Sequence, residues 1–148
     1  MQHYLDSNCA ICKTGQVLNT KTGNFLTPFD NGKGYKKVIL NINGKRKSKY
    51  VHRLVAETYI RKPRKRYCDQ VNHKDGNKSN NHYTNLEWVT NGENQKHKYK
   101  MKQITELRKE IQKAEDDKER SASRKERAKL SNYIRQTKEK INKLRINP

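Results

Sequence analysis

The stretch Val71-Asn72-His73-Lys74-Asp75-Gly76-Asn77-Lys78-Ser79-Asn80-Asn81, continued by Asn85-Leu86-Glu87-Trp88-Val89-Thr90 and then Asn94, decides how this chain is read. A histidine closes a short run with strand character. An Asp-Gly turn and a polar loop follow it. A second short strand comes next, and then a helix start, because Thr90 and Glu93 have the spacing of a capping box. That helix carries Asn94 in its first turn, back toward the histidine.

Hydrolysis of a phosphodiester needs a base to activate water and a divalent cation to neutralise charge on the phosphate and the leaving oxygen. His73 is the base candidate, since a neutral imidazole is matched to pH 7. Asn72 and Asn94 offer carbonyl oxygens suited to a hard cation, Mg²⁺ or Mn²⁺. Asn85 is placed to orient the His73 ring through one nitrogen and leave the other free for a proton. Leu86 and Trp88 read as core of the small motif.

Composition points to the partner. The chain has 148 residues with 35 Lys and Arg against 15 Asp and Glu, a formal charge of +20. Self-repulsion of that size favours a polyanionic partner, and nucleic acid is the natural one. With 30% hydrophobic residues, one compact core and an extended polar arm are expected rather than one large globule. No apolar run reaches membrane-spanning length, and the charged C-terminal segments lack the bulky apolar face of a membrane-surface helix. Met1-Gln2-His3-Tyr4-Leu5-Asp6 has no signal-peptide pattern. The three cysteines, Cys9, Cys12 and Cys68, give no disulfide framework, so a reducing cytoplasm or nucleoid is expected.

Three regions are expected: 1–50, an antiparallel β-region; 51–99, the core of the site; and 100–148, a basic helical arm. Residues 8–20 and 24–29 read as a short hairpin. Tyr35 to Ile42 is a strand rich in β-branched residues, ended by Asn43-Gly44 and answered by Lys45 to Val51. Val51, Leu54, Val55, Thr58 and Tyr59 share a helical face, and Pro63 ends that helix. Tyr67 to His73 reads as the first strand of the site. Beyond residue 100, Ile104, Leu107, Ile111 and Ala114 make one narrow seam. Leu130, Ile134, Thr137, Ile141 and Leu144 make another, so either a helical hairpin or pairing with another chain fits. Basic residues outnumber acidic ones 19 to 7 up to residue 99 and 16 to 8 from residue 100, so both parts suit phosphates.

Val71–Thr90 with Asn94 resembles the HNH nuclease motif, in the subgroup of phage intron-encoded and free-standing homing endonucleases. Tyr50-Val51-His52-Arg53-Leu54-Val55-Ala56 resembles the helix that precedes the motif in that subgroup, and the likeness covers residues 8–97. His73 stands 12 positions before Asn85 and 21 before Asn94. The resemblance implies an α+β protein with a ββα-metal fold, His73 as general base, Asn85 as the middle motif residue, and positions 72 and 94 as metal ligands. It also implies a phage-encoded enzyme that nicks double-stranded DNA in a bacterial host. The best-understood members of that family place Asp where this chain has Asn72, although Asn is frequent in sequences of this type, and a neutral amide holds a divalent cation less tightly. The alternative is therefore a DNA- or RNA-binding protein that keeps the fold without full chemistry.

DNA contacts are expected from Lys36, Lys37, Lys45, Arg46, Lys47, Lys49, Arg53, Arg61, Arg64, Lys65, Arg66, Lys74 and Lys78. Zinc is not expected at Cys9-x-x-Cys12 and Cys68. A structural zinc site shows two close ligand pairs, and on a strand Cys9 and Cys12 face opposite sides. The helical arm leaves room for self-association or a partner protein.

Overall fold

The computed structural model describes residues 2, 3 and 8–146; residues 1, 4–7 and 147–148, with most of the Met1–Asp6 stretch read for a leader, lie outside the described residues. The elements run β1 (Gln2–His3), β2 (Cys9–Ile11), β3 (Val17–Asn19), β4 (Phe29–Asp30), β5 (Lys36–Ile42), β6 (Lys45–Tyr50), α1 (Val51–Tyr59), β7 (Gln70–His73), a 3-10 turn (Tyr83–Asn85), β8 (Leu86–Val89), α2 (Asn91–Arg120) and α3 (Arg124–Ile146). Among the described residues the fold is α+β, with three small antiparallel sheets ordered β1-β2-β3, β4-β5-β6 and β7-β8. It divides into two compact units, Met1–Asn94 and Gln95–Pro148. Among the described residues, no helix is long and apolar enough to cross a membrane.

The first unit is organised by the β5–β6 hairpin and α1. Asn43 and Gly44 have φ of 51° and 75°, the paired left-handed conformation that makes a tight two-residue turn. Val38 and Leu40 face inward from β5, and Val51, Leu54 and Val55 from α1. All five are essentially fully buried, joined by Ile11, Val17, Val71 and Leu86. Each such side chain contributes roughly 1.5–3 kcal/mol on burial. This core draws on regions 1–50 and 51–99 together, so the β-region and the motif are packed as one body.

Strand alternation divides the cationic hairpin. Lys45, Lys47 and Lys49 lie opposite Ile42, Leu40 and Val38, whereas Arg46 lies opposite Asn41 on the other face. Lys45, Arg46 and Lys47 are exposed, and Lys49 is half-buried.

Two strand boundaries depart from the sequence reading. Residues 24–26 return on the first hairpin, the Asn19 N–H donating to the Asn24 carbonyl and the Leu26 N–H to the Val17 carbonyl, both at 2.8 Å, around an antiparallel bridge between Leu18 and Phe25, but residues 27–29 do not. The Asn19 side chain closes the turn by accepting from the N–H groups of Lys21 and Thr22. Phe29 and Asp30 pair with β5 instead, after Pro28, which has no N–H to offer a ladder. The first strand of the site begins at Gln70, not at Tyr67, because Tyr67 adopts a left-handed φ of 59° that breaks the extended run.

In the second unit the two seams face each other within one chain. Ile104, Leu107, Ile111 and Ala114 of α2 pack with Leu130, Ile134, Ile141 and Leu144 of α3. The Ser121 hydroxyl donates to Glu126 at 2.7 Å, and Ser123 caps the start of α3 by accepting from the Glu126 N–H. Tyr133 donates to Glu110 at 3.0 Å and Lys138 to Glu115 at 3.0 Å, tying the helices across the hairpin.

Gly15 is the glycine on which the site rests. Its φ is +93°, and a Cβ there would stand 2.8 Å from the Asn81 Cβ. Gly23, with φ +72°, has nothing near it. Gly15→Ala should lower stability by roughly 2–4 kcal/mol, from backbone strain plus a forced shift of Asn81, and Gly23→Ala by only about 1 kcal/mol. Urea unfolding of the two variants in parallel checks this; equal losses would remove the packing contribution at Gly15.

Candidate active site

The β7–β8 register fixes which side chains share a face. Asn72 pairs with Glu87 and His73 with Leu86. Gln70, Asn72 and Glu87 therefore lie on one face, and Val71, His73, Leu86 and Trp88 on the other. Leu86 is buried and Trp88 half-buried, its indole N–H donating to the Ile60 carbonyl at 3.1 Å; both serve the core as expected.

The loop between the strands is closed by side-chain amides. Asn85 Nδ2 donates to Asp75 at 2.9 Å and to the Asn80 carbonyl at 2.9 Å, while Asn85 Oδ1 accepts from the Asp75 N–H at 3.1 Å. Asn80 Nδ2 donates to the other Asp75 oxygen at 2.8 Å, and Asn77 N–H to Asp75 Oδ1 at 2.8 Å. Burial works to raise the Asp75 carboxyl, but the hydrogen bonds from Asn80, Asn85 and Asn77 outweigh it and hold it below the usual range. Asn85 thus spends its amide on the loop rather than on the His73 ring. That corrects the sequence reading, which could not see that both ends of Asn85 are needed to close the loop.

The ring is held by Asn81. His73 Nε2 lies 3.2 Å from Asn81 Oδ1, and Asn81 Nδ2 donates to the Ser79 carbonyl at 3.2 Å. Since Asn81 turns its oxygen to the ring, Nε2 carries the proton and Nδ1 keeps the lone pair. His73 is 5% exposed. Burial pushes its pKa down, partly opposed by Asn81 and Asp75, and Lys78 lowers it further.

His52, the second residue of α1, forms the wall beside it. Its ring centroid is 5.1 Å from that of His73, 5.2 Å from Tyr35 and 5.4 Å from Tyr50. Its Nδ1 is buried with no hydrogen-bond partner. Burial first, then His73 and Arg53, pushes its pKa down to about 3, so this second imidazole is neutral near pH 7. His52 lies three and four positions before the buried Val55 and Ala56, which is the sequence signal that it faces inward. Asn81 had no such signal among the asparagines of its loop.

On the opposite face, Asn72 Nδ2 donates to Glu87 at 2.9 Å, and Asn94 Nδ2 donates to Gln70, whose own amide donates to Asn91 at 3.2 Å. The donor end of each amide is taken, so the carbonyl oxygen is the end available to a ligand. That donor set fits a hard divalent cation, with Glu87 adding a carboxylate beside Asn72. Among the described residues, no group of three or more His, Cys, Asp or Glu is disposed around a metal position, and Cys9, Cys12 and Cys68 form no disulfide. The capping box forms as expected: Thr90 N–H donates to Glu93 at 2.8 Å and Glu93 N–H to the Thr90 hydroxyl at 3.3 Å.

The expected DNA contacts separate by what holds them. Arg61 and Arg64 are exposed, like Lys45, Arg46 and Lys47. Others are engaged within the protein. Lys65 pairs with Glu93, Lys36 with Asp30 at 3.6 Å, and Arg53 donates to the Asp69 carbonyl at 3.1 Å. Lys74 donates to the Thr84 carbonyl at 2.9 Å and Lys78 to that of Lys33 at 2.9 Å. Lys37 lies over the Tyr50 ring and Arg66 over that of Tyr67.

The two imidazoles make stability depend on pH. Both folded pKa values lie below the ordinary 6.5, so the unfolded chain binds more protons and stability falls as pH drops below about 6.5. The carboxylates with lowered pKa, Asp75 and Glu93, act at more acidic pH. The urea midpoint should fall between about pH 7 and 5, and His52→Phe should flatten that fall. An identical slope in the variant would remove His52 as its source.

Comparison with known proteins agrees with this geometry. A family model described as HNH endonuclease matches residues 67–96. An uncharacterized HNH endonuclease of Acanthamoeba polyphaga mimivirus is 44% identical over 93 residues, 63% of this chain and 27% of that protein. DNA endonuclease I-HmuI of Bacillus phage SP01 is 43% identical over 96 residues, 63% of this chain and 51% of that protein. This chain therefore spans between about a quarter and a half of the length of these relatives. A solved structure reported as DNA binding and cleavage by the HNH homing endonuclease I-HmuI matches with a TM-score of 0.52 and 37% identity, covering 68% of this chain and 62% of that one. The buried histidine at the end of β7, the loop closed by Asn85 and the capped helix start carrying Asn94 thus all lie within the segment, residues 67–96, that matches the HNH endonuclease family model, in a fold similar to that of a solved HNH homing endonuclease.

Proposed function

We propose that this chain is a metal-dependent DNA endonuclease that hydrolyses one phosphodiester bond per site, nicking one strand. The observation that carries this reading is the Asn81–His73 hydrogen bond. By fixing Nε2 as the protonated nitrogen, it leaves Nδ1 as a base in a buried, water-poor setting. In the reaction, His73 Nδ1 takes a proton from water, the water oxygen attacks phosphorus, and the phosphorus–oxygen bond to the leaving group breaks. The leaving oxygen takes a proton from solvent water, and His73 returns its proton to solvent. A divalent cation held by the carbonyl oxygens of Asn72 and Asn94 would neutralise charge on the phosphate and the leaving oxygen. Asn85 acts through the loop, keeping Asn81 against the ring.

Double-stranded DNA is the proposed substrate. The net charge of +20 supports it, as do the exposed Lys45, Arg46, Lys47, Arg61 and Arg64. A phage or viral origin, with action in the host cell interior, is part of this proposal, and the phage and viral sources of the relatives support the origin. A second reading is a DNA-binding protein with the fold but little chemistry. It draws on one specific observation: both candidate cation ligands are neutral amides, with Asn72 only 7% exposed.

With Mg²⁺ or Mn²⁺ against EDTA, supercoiled plasmid should be nicked only when metal is present. His73→Ala should lower the rate by about 10²–10⁴-fold while duplex affinity changes little. Asn81→Ala should lower it by about 10–100-fold, as expected for loss of the group that orients the base. Unchanged nicking by His73→Ala would exclude the proposed base. Asn72→Asp should shift the metal concentration for half-maximal rate downward. Intact plasmid across metals with wild type, together with retained duplex binding, would favour the binding-only reading.

A further inference from the structure

The helical arm lies beyond the matched segment 67–96, and its charge is unevenly distributed along its length. Toward the open end of the hairpin, residues 96–113 and 135–145 hold 12 Lys and Arg against 3 Glu. Toward the tip, residues 114–134 hold 6 Lys and Arg against 5 Asp and Glu. A charged helix surface kept only for solubility has no need of this gradient, since mixed signs serve that purpose along the whole length.

The open end also carries a groove. Lys100 and Lys102 of α2 and Lys140 and Lys143 of α3 line it, with Glu106 as the one acidic side chain among them. Leu107 and Leu144 form its apolar floor, and Tyr99, 67% exposed, stands at its edge. Lysine stems lie well along such a floor while their ammonium groups stay in water. Lysines from two helices therefore converge on one side of the arm, and no ion pair among the described residues neutralises Lys102, Lys140 or Lys143. Lys109 and Lys138, by contrast, are taken up by Glu106 and Glu115.

We propose that this groove is a docking surface for the phosphate backbone of duplex DNA, independent of sequence and separate from the β-region. Lysine ammonium groups contact phosphate oxygens as point charges and carry no base information, so the groove adds affinity without adding specificity. The near-neutral tip takes no part. The inference rests on the reading of DNA as the substrate, but it concerns binding and not cleavage.

The test uses the full chain. A groove variant, K102A/K140A/K143A, is compared with a tip variant, K118A/R120A/K125A, which removes the same number of positive charges. All six positions lie in α2 or α3, where alanine favours helix, and circular dichroism checks that both arms stay folded. Affinity for a duplex of arbitrary sequence is measured by fluorescence anisotropy over a range of salt concentrations. Each phosphate that the protein no longer neutralises should reduce the slope of log K against log salt by about 0.9, so the slope should shrink by roughly 2–3 in the groove variant and hardly at all in the tip variant. The charge-preserving K102R/K140R/K143R should keep the wild-type slope. Equal reductions in groove and tip variants would mean that net charge alone matters and would overturn the proposal. An unchanged slope in the groove variant would overturn it as well, and sedimentation velocity would then show whether the groove seats a second copy of the chain. Wild type with no duplex affinity at all would sink the DNA reading itself, which separates the two failures.

Discussion

The geometry of the site depends on how the loop between β7 and β8 is closed. Asn85 reaches back with both ends of its amide, donating to Asp75 and to the Asn80 carbonyl while accepting from the Asp75 N–H. With the loop pinned, Asn81 has one position. Its nitrogen faces the Ser79 carbonyl and its oxygen faces His73. Gly15 meets Asn81 from the other side, at a distance no side chain can share. The orientation of one imidazole is thus set by a chain of contacts that begins in the N-terminal hairpin. A networked polar arrangement of this kind costs least when every member is satisfied, and here the loop amides are.

His73 and His52 are two imidazoles with different settings. One has its Nε2 paired and the other has a buried nitrogen without a partner. Both are pushed toward the neutral form by burial. Neutrality suits the proposed base, and a neutral His52 beside it would not oppose the charge His73 gains in the proposed reaction. The opposite face of β7 is polar in another way. Asn72 and Asn94 are anchored through their nitrogens, to Glu87 and Gln70. His73 and Asn72 are therefore adjacent in sequence but divided between two faces of one strand.

Much of this was legible in the residues themselves. The Asn43-Gly44 turn, the helix from Val51, the capping box at Thr90 and Glu93, and the two apolar seams of the arm all formed as their local patterns imply. Those features are decided within a few residues, by backbone conformation, helical period and side-chain capping. Less legible were the strand limits. Tyr67 takes a left-handed backbone and delays β7, and Phe29 and Asp30 leave the first hairpin to pair with β5. Nothing in the local sequence distinguishes a tyrosine that will adopt that conformation.

The sequence by itself determined the chemistry available: a histidine at the end of a strand, amides at positions 72, 85 and 94, and a chain basic enough to seek phosphates. It also determined that the arm is helical, because a seam of period 3.5 has no other use. Only the tertiary structure decided which amide serves which partner. Asn81 rather than Asn85 holds the ring, His52 supplies its wall, and Glu87 and Gln70 orient the amides of Asn72 and Asn94. It also decided that the two seams satisfy each other within one chain. The physical reason is the same in each case. A hydrogen bond is fixed by distance and angle between groups far apart along the chain, and spacing in sequence carries neither.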